Sequence, residues 1–234
     1  MLVAAAVCPH PPLIVPELAA GAAAELDGVR AACDEAVRQT LDRDPDLVVV
    51  VGPDPEGSEV RELADVRPSF LPYGMDVPIE TNPAAGTQLP LSLSVGAWLL
   101  RRCGWQGPRC FVVVGAGVDP HACRATGERL AQLAQRVAFL VLGDGSARGS
   151  EQAPGYVDDR AAPYDEGIRR ALEHGDVAAL AELDPGLAGD LLVAGRPAWQ
   201  VLAGAAQDID VTATLLAAEA PYGVAYFVAS WTVP

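Results

Sequence analysis

The chain has 234 residues, with 31 acidic against 16 basic side chains and a formal net charge of −15. That length suits one well-buried core, and α/β architectures of this size commonly fold as a single domain, expected here over residues 1–234. The acidic balance, with a pI near 4.4, repels phosphate backbones and anionic headgroups, which argues against nucleic acid and membrane surfaces as partners.

In chain order, residues 1–8 are apolar but lack a basic flank and are cut short by Pro9-His10-Pro11-Pro12. They read as a buried first strand over 2–7, not as a signal peptide or a membrane span. Alanine-rich helical spacing predicts a long helix from Pro16 to about Arg43, ended by Asp44-Pro45-Asp46 before a strand over 47–51. Residues 53–90 are proline-rich with little periodicity, so a long excursion with one short extended piece is expected; such segments are often functional. A helix over 92–102 and a strand over 110–114 follow. Asp119-Pro120 then caps a helix predicted to run to Gln135. A strand over 137–142 precedes helical content over 161–206, broken at Gly175, Pro185 and Pro197, and a last strand is expected over 223–230. Apolar, β-branched runs of this kind are strands buried on both faces. The expected fold is α/β, a three-layer sandwich with a central, largely parallel or mixed sheet and helices on both faces.

Five cysteines, Cys8, Cys33, Cys103, Cys110 and Cys123, are widely spaced with no C-x-x-C pair, neither a disulfide framework nor a zinc signature, and fit a reducing cytoplasm. Cys8 on a buried strand reads as an inert thiol with no identifiable base. Gly115-Ala116-Gly117 lacks the third glycine of a nucleotide-binding turn.

Open α/β sheets bind ligands beyond the carboxyl ends of their strands, which directs attention to three turns. They are Cys8-Pro9-His10-Pro11-Pro12, Gly52-Pro53-Asp54-Pro55-Glu56-Gly57 and Gly143-Asp144-Gly145-Ser146-Ala147-Arg148. From them come the candidate pocket residues His10, Asp54, Glu56, Asp144 and Ser146. Taken alone, each has an ordinary reading beside the functional one. A histidine at a strand end often bonds a backbone carbonyl, turn carboxylates form Asx-type bonds, and Gly-Asp-Gly-Ser is common turn chemistry. His121 in a first helical turn and His174 before Gly175 read as a solvated or capping residue and as a partner of terminal helix carbonyls.

The opening Cys8-Pro9-His10-Pro11-Pro12-Leu13-Ile14-Val15-Pro16-Glu17 resembles the start of the catalytic β-subunit type of class III extradiol ring-cleaving dioxygenases and their uncharacterised relatives. Gly52-Pro53-Asp54 stands where the family has a Ser-Pro-His-Gly-like turn. Gly143-Asp144-Gly145-Ser146-Ala147 stands where it has Gly-Asp-x-Ser-His, and Pro221-Tyr222-Gly223-Val224-Ala225-Tyr226-Phe227-Val228 is similar to its last strand. The segments beginning Tyr164-Asp165-Glu166 and running from Gly195 to Gly204 match in order and spacing.

The resemblance implies an oxidoreductase fold with a non-haem Fe(II) site of two histidines and a carboxylate, and a further histidine that moves protons. Only His10 survives of that set. Asp54 and Ala147 stand at the other two histidine positions, no histidine lies between residues 11 and 120, and Ala194 replaces a cysteine of the related cell-motility branch. The expectation is a dioxygenase-like protein with a degraded iron site, metal weak or absent, that binds a small aromatic or other small molecule. One alternative is an active dioxygenase whose metal is held by His10 with Asp54, Glu56 or His121; an oxygen-rich set of that kind suits iron or manganese better than zinc. The other is a non-catalytic interaction chain, since two-component members pair with a small helical partner; a homodimer is also compatible.

Overall fold

The computed structural model describes residues 1–75, 79 and 86–234. β1 (Leu2–Cys8) leads through a short 3-10 turn to α1 (Pro16–Ala19), a second 3-10 segment and α2 (Asp27–Leu41). β2 (Leu47–Asp54), β3 (Val60–Leu63), β4 (Val66–Arg67) and β5 (Thr87–Gln88) follow, then α3 (Leu91–Arg102) and β6 (Arg109–Gly115). The chain continues through α4 (Pro120–Leu130), β7 (Val137–Leu142), α5 (Ala161–His174), α6 (Val177–Ala181), α7 (Pro185–Asp190) and α8 (Arg196–Ala205), and ends with β8 (Thr212–Glu219) and β9 (Tyr226–Thr232). Of the excursion expected over 53–90, residues 76–78 and 80–85 lie outside the described residues.

Seven strands form one sheet in the order β3-β6-β2-β7-β1-β9-β8. The four central strands, β6, β2, β7 and β1, are mutually parallel; β3 at one edge and β9 beside β1 run antiparallel to them, and β8, antiparallel to β9, closes the other edge. Period-two alternation sends Val49 and Val51 into one core and Val48 and Val50 into the other. The first core is closed by α4 to α8 and the second by α2 and α3. The molecule is thus a three-layer α/β sandwich, and all six residues of β7 are buried. None of the described helices is long and apolar enough to cross a membrane.

Several of the expected elements have different bounds, β2 for one running on to Asp54. The predicted 16–43 helix is interrupted, because the buried Arg30 guanidinium takes the carbonyls of Ile14 (2.8 Å) and Ala23 (3.1 Å) and holds a 3-10 detour ahead of α2. The α4 helix stops at Leu130, not Gln135. There the chain turns so that Val137 N–H can reach the Met1 carbonyl at 2.9 Å and start β7 beside β1. The final strand begins at Tyr226, after Gly223 takes a left-handed φ of 72°. Pro185 and Pro197 open α7 and α8, where a missing N–H costs nothing. Asp119 caps α4 as expected, accepting from His121 N at 2.8 Å.

Candidate functional site

Because β2, β7, β1 and β6 are parallel, the turns after them all leave from one edge of the sheet. β1 and β7 are neighbours, so their turns meet. The backbone N–H of His10 donates to Asp144 Oδ1 at 2.8 Å, and the ring Nδ1 stands 3.5 Å from the same oxygen. That second distance is ion-pair range, too long for a hydrogen bond, and Nδ1 is buried without another partner. His10 is only 8% exposed. Burial pushes the Asp144 carboxyl above its usual range, against the opposing effect of His10. Burial, and after it the Asp144 charge, pushes the Tyr226 hydroxyl up as well, which places β9's first residue beside the pair.

Asp54 ends β2, on the far side of β7 from His10. Arg61 of β3 donates to its Oδ2 at 3.0 Å, and the Glu56 N–H reaches Oδ1 at 3.3 Å, an Asx-type turn. Glu56 itself is exposed. His121 is exposed at the start of α4, which follows β6; three strand spacings, roughly 14 Å, separate β6 from β1. His174 bonds the Arg170 carbonyl through Nδ1 at 2.9 Å, the helix-end role read from its position.

Ser146 is fully buried. Its N–H donates to Asp165 Oδ1 at 2.9 Å and its hydroxyl to Asp165 Oδ2, so it pins the turn to α5. Burial raises the Asp165 carboxyl, and the two Ser146 bonds oppose the rise. The Gly115-Ala116-Gly117 loop is also committed, since the Ala116 N–H bonds Asp54 O at 2.9 Å and the Ala116 carbonyl accepts from Arg196. Arg196, 2% exposed, also donates to the Val118 carbonyl (2.9 Å) and Gln200 Oε1 (2.8 Å).

Asp165, Arg196 and Trp199 are parts of this edge that sequence reasoning did not single out. Asp165 bonds across 19 positions and Arg196 across 78, so no local pattern announces them. The helical match beginning Tyr164-Asp165 was the nearest signal.

No known family pattern matches the chain, and no curated protein does. Among solved structures, it is similar to the crystal structure of the uncharacterized protein JW3007 from Escherichia coli K12. The TM-score is 0.54 at 13% identity, over 98% of this chain and 99% of that one. The likeness is one of fold.

The residues present do not fit a resident iron. Among the described residues no three His, Cys, Asp or Glu side chains are gathered as metal ligands. Asp54 already holds a guanidinium, whose positive charge opposes a second cation, and Ala147 has no donor atom. His10 offers an imidazole where the β1 and β7 turns meet, while His121, exposed at the start of α4 after β6, stands about three strand spacings away.

Proposed function

We propose that this chain is a class III extradiol dioxygenase-like protein whose non-haem iron site is degraded, and that it binds a small molecule at the edge where the β1 and β7 turns meet. The observation that carries the reading is the pairing of His10 with Asp144 while Asp54 is paired with Arg61. The Nδ1 side of the imidazole stands 3.5 Å from the Asp144 carboxylate. A divalent iron that must also bind catecholate and oxygen needs about three protein ligands, and one imidazole does not retain it. What remains is a buried histidine beside a carboxylate at the sheet position where α/β proteins take small molecules.

The test is direct. The protein is loaded anaerobically with ferrous iron, given protocatechuate, catechol or dihydroxyphenylalanine, and exposed to oxygen. We expect no yellow ring-fission product. A product that forms with the parent chain and is lost in His10→Ala would sink this reading and favour a working dioxygenase with recruited ligands.

A further inference from the structure

The two edges of the sheet meet solvent differently. An open edge strand presents a row of backbone N–H and C=O groups that can pair with another strand, and proteins usually blunt it with charge, brevity or cover. β3 is blunted, having four residues of which Arg61 and Glu62 are tied to Asp54 and Arg129. β8 has eight residues, and the stretch 211–218 holds no charged side chain and no proline. Among the described residues no strand pairs with β8 on the side away from β9, and no backbone hydrogen bond outside that ladder reaches residues 211–218. Ile209, Val211, Ala213 and Leu215 pack on the first core, while Asp210, Thr212 and Thr214 between them are exposed, so the alternation of a strand runs unbroken over residues 209–215. The register shift between Leu215 and Ala217 comes at the end of that stretch.

The order of the side chains selects the partner. Val211-Thr212-Ala213-Thr214-Leu215 reads alike in both directions about Ala213. If two copies lie antiparallel with a two-fold axis at Ala213, perpendicular to the sheet, Thr212 of one stands opposite Thr214 of the other, and Val211 opposite Leu215, with each pair on one face. Threonine pairs and apolar pairs placed in this way stabilise antiparallel strands. In that register Asp210 stands opposite neither its own copy nor Glu219. The strip therefore matches itself, as the contact of a two-fold dimer must. Its size sets the strength. At about 3.4 Å per residue the strip is about 24 Å long, and with about 10 Å on either side of the sheet it covers roughly 500 Å² per copy. A standard interface takes about 800 Å² from each partner, so this one is weak and reversible. The net charge of −15 on each copy opposes it further, and salt, by screening that repulsion, strengthens it.

We propose that two copies of this chain pair β8 with β8, antiparallel about Ala213, in a weak reversible dimer whose sheet runs through both. The inference is independent of the small-molecule reading, which concerns the turns at the strand ends.

Sedimentation velocity from micromolar to hundreds of micromolar chain, in low and in high salt, reads the equilibrium. We expect monomer and dimer in exchange, with high salt favouring the dimer. Thr212→Glu with Thr214→Glu sets like charges opposite each other twice and should weaken the dimer about ten-fold. Thr212→Lys with Thr214→Lys should weaken it too, although it lowers the net charge, which separates local pairing from overall repulsion. Thr212→Lys with Thr214→Glu sets opposite charges at the same two places and should bring the dimer back to the parent's strength. Both threonines are exposed, so every variant should keep the parent's circular dichroism and thermal melt. A chain that stays monomeric throughout, whether its edge is bare or suits another protein, overturns the proposal. So does a dimer that both like-charge variants leave unchanged, or one that the Lys and Glu combination does not restore.

Discussion

Two carboxylates at the candidate site, Asp144 and Asp165, are half-buried, and this has a consequence for pH. Asp165 is raised above its ordinary value of 3.8, first by burial. A carboxylate whose folded value exceeds its unfolded one binds more protons in the folded state. Its ionisation therefore costs stability, and the cost grows as pH rises from the unfolded value through the folded one. Asp144 acts with the same sign. Asp165→Asn keeps an acceptor for the Ser146 N–H and removes the charge, so it should flatten the fall in stability as pH rises above the ordinary carboxylate value. Urea melts across that range check it; an unchanged slope would place the pH dependence elsewhere. His10 and Asp144 were legible because each follows an apolar run that must end in a turn. The contact between them was not, because it depends on β7 entering the sheet next to β1, a pairing of residues about 134 positions apart.

At the level of elements, close approach of α4 and α8 seats α8 and its Trp199. It depends on Gly127 and Gly204: a Cβ on Gly127 would lie 1.9 Å from the Val201 carbonyl, and one on Gly204 2.0 Å from the Arg124 carbonyl. Alanine is the better helix former by about 1 kcal/mol, yet overpacking costs about 1–3 kcal/mol, and here the obstacle is backbone. Gly127→Ala should therefore lower stability by about 2 kcal/mol in chemical denaturation; a stabilised variant would mean that α8 shifts freely. The β2 strand makes the stronger demand. Val49 is fully buried between two parallel neighbours, so Val49→Asp should abolish soluble expression through an unpaired buried carboxylate costing on the order of 4 kcal/mol or more. A soluble variant with a cooperative melt would contradict that placement. The five buried strands were readable as apolar runs. The β8 strand was not, since Thr212–Glu219 is half-exposed and alanine-rich, and its pairing with β9 imposes the extended form. The helix over 16–43 was over-read for the opposite reason: alanine favours a helix that Arg30 interrupts through bonds to carbonyls on either side of α1.

For the whole molecule, the alternation of strand and helix was enough to predict three layers, and the mixed edges of the sheet follow from β3 at one side and β9 at the other returning antiparallel, with β8 hairpinned onto β9. The fold puts the turns after β1, β7 and β2 on one edge, but it does not by itself supply chemistry. Where the β1, β7 and β2 turns leave it, the edge carries an imidazole beside a carboxylate and a second carboxylate paired with a guanidinium. Iron content separates a degraded site from a working one most directly. Protein purified anaerobically without a histidine tag should hold far less than one iron per chain by elemental analysis. About one iron per chain, lost in His10→Ala, would contradict a degraded site.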